Sequence, residues 1–153
     1  VLGLQLCGYA QNEIKGKVIA VIDGNTAEVE DEQKQKVKIV LAGIDCPELG
    51  QEFGDKAKHY LEKKALNRDV VIKFQGKDRF GNYLVVMLVN DDDIRVDLLK
   101  EGLAWTAEKN PSPDLEPYRT WASQKGKGLW KQENPTPPWT YRRQQTMLQP
   151  KSS

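Results

Sequence analysis

Two carboxylates stand three positions apart in the loop Gly43-Ile44-Asp45-Cys46-Pro47-Glu48. An acidic pair on one loop can attract a cation or hold a water within hydrogen-bond reach. The same residues are also the composition of an ordinary polar loop before a helix. Asp23-Gly24-Asn25 is turn chemistry and, taken alone, reads as a hairpin. A second turn, Lys77–Asn82, carries Arg79 and Asn82. His59 is the only histidine and lies among Lys56, Lys58, Lys63 and Lys64, the pattern of a solvated helix face. Asp91-Asp92-Asp93 lacks the spacing and terminal Glu of a calcium loop and reads as a solvated turn. Trp105, Trp121, Trp130 and Trp139 read as core or tail-docking residues.

The elements that would position these residues are mostly strands. Lys17–Ile22 is a short β-branched run, Thr26–Glu30 alternates, and Lys36–Ile44 alternates before turning wholly apolar. Phe53, Ala57, Tyr60, Leu61, Lys64 and Ala65 recur at helical spacing. Val70–Phe74 and Tyr83–Val89 supply two further strands, joined by the Lys77–Asn82 turn. A short helix over VDLLKEG, stopped by Gly102, and a last helix from about Asp114 to Lys125 complete the order. Five strands with an inserted helix predict a mainly β, α+β domain. The expected fold is a five-stranded OB-fold Greek-key barrel with three helices. Closing the barrel also removes the edges of strands this hydrophobic.

The chain of 153 residues suits one domain, and 39% hydrophobic with 29% charged residues is an ordinary soluble composition. With 23 Lys+Arg against 22 Asp+Glu, charge neither announces nor excludes a polyanion partner, since local patches matter more than the sum. Residues 1–10, VLGLQLCGYA, read as the remnant of a secretory signal, with Gly8 and Ala10 at the small-residue positions of a cleavage site. The expectation is a secreted or periplasmic monomer with no membrane span, residues 11–143 forming the domain. Pro135, Pro137 and Pro138 cannot sit inside a helix, and a disordered tail is expected over 144–153. Of the two cysteines, Cys7 falls in the signal remnant, so no structural disulfide with Cys46 is expected.

Three segments, in order, carry a resemblance: VIDGNT (21–26), LAGIDCPE (41–48) and KDRFGNYL (77–84), joined by GLAW (102–105), GLW (128–130) and PPWTYR (137–142). Together they are similar to the staphylococcal-nuclease (thermonuclease) family over nearly all of residues 16–142. The resemblance implies an OB-barrel with helices and calcium-dependent hydrolysis of DNA and RNA phosphodiesters. It also implies a metal site of two aspartates and a backbone carbonyl, a glutamate acting on water, and two arginines on the phosphate. Arginine suits that last task because its bidentate fork steadies charge developing on a phosphate oxygen.

Carried over residue by residue, Asp45 matches the second metal aspartate, Cys46 the carbonyl position and Glu48 the general base. Asn25 stands where the first aspartate is expected, and Val40 and Asn82 stand at the two arginine positions. Asn25 still offers an oxygen but removes a negative charge, so calcium binding should be weak or absent. Val40 donates nothing, and Asn82 is short and uncharged. Thr106-Ala107-Glu108-Lys109 replaces the aromatics that nuclease relatives often carry after GLAW, and Glu108 would repel a phosphate. The resemblance therefore implies a secreted nuclease-like domain of weak or no activity, binding nucleic acid or a protein. The alternative is an active calcium-dependent endonuclease with Glu48 as base and Lys38 and Arg79 as substitute phosphate binders. A further possibility is interaction through the proline-rich tail.

Overall fold

The computed structural model describes residues 13–149. The signal remnant and Cys7 lie outside the described residues, as do residues 150–153. Strand β1 (Glu13–Asp23) is shared by two neighbours: its first half pairs with β5 (Asp69–Lys77) and its second with β2 (Thr26–Asp31). The start is longer than its apolar pattern suggested because Glu13, Lys15 and Lys17 point outward. β2 pairs antiparallel with β3 (Lys36–Leu41), and β5 with β6 (Tyr83–Val89). A parallel pairing of β3 with β6, through Ile39–Tyr83, Val40–Leu84 and Leu41–Val85, closes the ring. Five strands thus form the expected OB-fold barrel, α+β and mainly β.

Val18, Val29, Ile39, Leu41, Ile72, Val85 and Met87 are buried in the core. Each buried side chain of this size contributes about 1.5–3 kcal/mol relative to exposure. Helix α1 (Gly54–Ala65) turns Ala57, Leu61 and Ala65 into that core and leaves its lysines outside. Helix α2 (Ile94–Lys100) follows a short strand β7 (Asp92–Asp93) and buries Ile94, Leu98 and Leu99. Helix α3 (Glu116–Lys125) is stopped by Gly126 in the left-handed conformation.

Several expectations are corrected. The third strand ends at Leu41. After the turn at Ala42-Gly43 the chain makes a separate two-residue strand, β4 (Ile44–Asp45), paired with β8 (Trp105–Thr106). The described residues hold four α-helices and a 3₁₀ helix (Gly128–Lys131), not three helices. Helix α4 (Pro138–Leu148) takes Pro138 at its first position, where a missing N–H costs nothing. Residues 144–148, expected in a disordered tail, continue this helix. Asp93 is more than a solvated turn residue, since its Oδ1 accepts the Arg95 N–H at 3.0 Å and caps α2. Trp121 is 42% exposed rather than docked, whereas Trp105 packs edge-on against both Trp130 and Trp139.

Candidate active site

Asp45 and Glu48 are fixed by different devices. Asp45 ends β4 and is held in register with Trp105. Glu48 lies in a loop closed on itself: its N–H donates to Gln51 Oε1 at 2.9 Å, and its carbonyl accepts the Gln51 N–H at 2.8 Å. Gly54 must lack a side chain, because a Cβ there would collide with the Glu48 carbonyl oxygen. The Asp23–Asn25 turn docks on the same loop. Gly24 passes so close to Cys46 and α1 that a Cβ would stand 2.7 Å from Ala57 Cβ and from Cys46 Cβ. Asn25 Oδ1 accepts the Cys46 N–H at 3.3 Å, and the Asn25 carbonyl accepts the Leu41 N–H at 2.8 Å. Asn25, Asp45, Cys46 and Glu48 are therefore gathered from β-turn, strand and loop. The Cys46 thiol is buried, and its pKa is pushed well up, first by burial and then by Asp23, Asp45 and Glu48.

The structure adds a residue that was given no role at this site. Arg142, on α4, places its guanidinium between the two carboxylates. Its Nη1 donates to Asp45 Oδ1 at 3.1 Å and to Glu48 Oε2 at 2.6 Å, and its Nη2 donates to Asp45 Oδ2 at 2.9 Å. The hydrogen bonds to Asp45 are the main reason its pKa is raised, against the opposing pull of burial, with Glu48 adding to the rise. Arg142 is delivered by anchors on its own helix and just before it: Gln51 Nε2 donates to the Thr136 carbonyl at 2.9 Å ahead of α4, and within α4 Trp139 packs on Trp105 with ring centroids 5.5 Å apart and Tyr141 packs over Gly50. Beside it, Arg143 donates to both oxygens of Glu108 at 2.9 Å, so Glu108 faces a guanidinium.

The other site residues stand apart from this cluster. Val40 and Lys38 share the outward face of β3, as alternation requires. Asn82 is spent within its own turn, its backbone N–H donating to Asp78 Oδ1 at 2.9 Å and its side-chain Nδ2 to Asp78 Oδ2 at 3.1 Å. Arg79 lies over the exposed Phe80 ring, 4.9 Å from its centroid. Lys38 is near enough to Asp78 to act on its charge. None of these makes a hydrogen bond or ion pair with Asp45 or Glu48.

The arrangement does not fit calcium as it stands. Calcium takes six to eight oxygens, with charged ones preferred. Here Glu48 gives one oxygen, and Asp45 both, to a guanidinium, while the Asn25 oxygen accepts an amide proton. Among the described residues, no three His, Cys, Asp or Glu side chains group closely enough to hold a metal ion. Chemically the cluster is a carboxylate pair bridged by one internal cation, which offsets one of its two negative charges.

The family model described as Staphylococcal nuclease homologue matches residues 38–132, from within β3 through β5, β6 and the first three helices. The chain belongs to that family. An uncharacterized endonuclease of Escherichia coli O157:H7 is 33% identical over 85% of this chain and 86% of its own length. An uncharacterized endonuclease of Haemophilus influenzae is 32% identical over 93% of this chain and 79% of its own length. A micrococcal nuclease of Shigella flexneri is 29% identical over 86% and 82%. Within the staphylococcal nuclease homologues, the region from Lys38 to Glu48 is thus a family segment, whereas Arg142 lies beyond the matched residues. Local spacing could not have found Arg142, although the PPWTYR segment that ends on it was visible in the sequence.

Proposed function

We propose that this chain is a secreted nuclease-family domain that meets nucleic-acid phosphodiesters but hydrolyses them weakly or not at all. One observation carries the reading: the Arg142 guanidinium bridges Asp45 and Glu48. The family resemblance supports it, since it puts Val40 and Asn82 where two arginines are expected. A carboxylate bound to a guanidinium is a poor proton acceptor for water. A phosphate gaining charge at this face meets no preorganised donor from β3 or the Lys77–Asn82 turn, and each such loss typically costs about 10²–10³ in rate. The same occupancy supports weak or absent calcium binding, because a guanidinium must leave before a cation can take the carboxylates.

A second reading, an active calcium-dependent endonuclease with Glu48 as base, is favoured by Lys38. That ammonium shares the outward face of Val40 and acts on Asp78 in the adjoining turn. One experiment separates the two readings. Purified protein is incubated with single-stranded DNA in millimolar calcium, beside Glu48→Gln. Little or no Glu48-dependent cleavage supports the first reading; brisk cleavage lost in Glu48→Gln supports the second.

A further inference from the structure

The outer face of α1 carries Lys56, His59, Tyr60 and Lys63 at helical spacing, so they form one stripe. Across from it, Lys127 and Lys131 flank the 3₁₀ helix, and the two walls enclose an open groove of about 580 Å³. The Lys127 backbone is pinned, its N–H donating to the Ala122 carbonyl at 3.0 Å. Among the described residues, none of these four lysines forms a salt bridge. Only Asp55 and Glu101 oppose them in the groove lining, so the groove is net positive in a chain that is nearly neutral overall. Phe53 and Tyr60, both partly buried against the core, line the groove, with the Lys56 ammonium 4.7 Å from the Phe53 ring and the Lys64 ammonium 5.6 Å from the Tyr60 ring. The Tyr60 hydroxyl stays protonated, its pKa pushed up to about 12 by burial and then by Asp97 and Glu101. Lys63 also lines a smaller neighbouring groove, where Lys64 and Arg68 face Asp92 and Asp97.

We propose that the groove between α1 and the 3₁₀ helix is a docking site for single-stranded nucleic acid, separate from the Asp45–Glu48 cluster, with which it shares no lining residue. The choice of a nucleic acid rests on the nuclease-family reading; the groove's charge and rings do not. Ammoniums gathered from two elements repel one another, and a backbone carrying one phosphate per nucleotide relieves that repulsion. Aromatic rings beside such a cationic track give bases a surface to stack on, a contact that tolerates any sequence. An ordinary solvated helix face would need neither the second wall nor the rings.

The test is fluorescence anisotropy with a labelled single-stranded DNA oligonucleotide in chelator, so that binding is read without cleavage. Lys56→Glu/Lys63→Glu and Lys127→Glu/Lys131→Glu are compared with Lys34→Glu/Lys36→Glu, the same charge change at the β2–β3 hairpin. Each groove pair should raise Kd about tenfold or more and lower the slope of log K against log salt by about 1.4, two phosphate contacts' worth on a single strand. The hairpin pair should change both much less. Lys→Gln versions, which add no negative charge, give the same comparison if a Glu variant fails to fold by circular dichroism. The proposal is overturned if wild type does not bind at low salt, if all three pairs weaken binding equally, or if no pair does. It is also overturned if poly-glutamate neither competes worse than DNA nor binds more weakly, which would point to an acidic protein partner. Brisk cleavage in the calcium assay contradicts the proposed weak hydrolysis yet leaves this binding result standing, so the two failures are distinguishable.

Discussion

Arg142 bridges two half-buried acids from 94 and 97 positions away and offsets one of their two charges. A bond across that separation leaves no periodicity behind, which is why Asp45 and Glu48 could be singled out in the sequence while the guanidinium that bridges them could not. If the guanidinium holds the place of a cation, removing it should open the site. Calorimetric titration with calcium should show negligible binding to wild type. The double variant Asn25→Asp/Arg142→Met should bind at least about tenfold more tightly than Asn25→Asp alone, since a positive charge within hydrogen-bond distance of Asp45 and Glu48 has gone. Tight single-site binding by wild type would count against the account. Gly24 makes a separate prediction. An alanine there drives a Cβ to 2.7 Å from both Ala57 Cβ and Cys46 Cβ. Overpacking of this kind should cost about 1–3 kcal/mol in urea unfolding, and an unchanged midpoint would contradict the close approach.

At the scale of elements, the prolines of the tail were read for where a helix cannot run, and Pro138 shows the other half of the rule: it begins one. That reversal matters because α4 is the element that carries Arg142. Its anchor is Trp139 on Trp105, so Trp139→Ala should release the helix, lower stability by about 1–3 kcal/mol for a half-buried aromatic and leave Asp45 and Glu48 exposed. Calcium binding to Trp139→Ala should then resemble that of Arg142→Met. The Lys77–Asn82 turn offers a pH test. Burial works to raise the Asp78 pKa, but the Asn82 N–H and Nδ2, the Phe80 N–H and the Lys38 charge outweigh it and hold it below the ordinary value. A folded-state value below the unfolded one stabilises the protein above the carboxylate range, and that contribution is lost as pH falls through it. The stability gap between wild type and Asp78→Asn in urea should therefore be present near pH 7 and shrink on acidification to about pH 3. A gap that is constant with pH would contradict this assignment.

Across the whole molecule, the barrel was readable because its strands are apolar runs bounded by turn residues, and closure through β3 and β6 is what such runs require. The polar half of β1 was not, since Glu13, Lys15 and Lys17 meet solvent and leave no apolar signature. If positions 25, 40, 45, 48 and 82 are the site that the family resemblance implies, the barrel's chemistry should be recoverable by side chains alone. Calcium-dependent cleavage of single-stranded DNA by the unmodified chain, timed against Asn25→Asp/Val40→Arg/Asn82→Arg, is the most direct measurement. Wild type should be slower than the restored variant by about 10² or more, the worth of at least one missing phosphate donor. Wild-type cleavage as fast as the restored variant's, and abolished by Glu48→Gln, would contradict the reading.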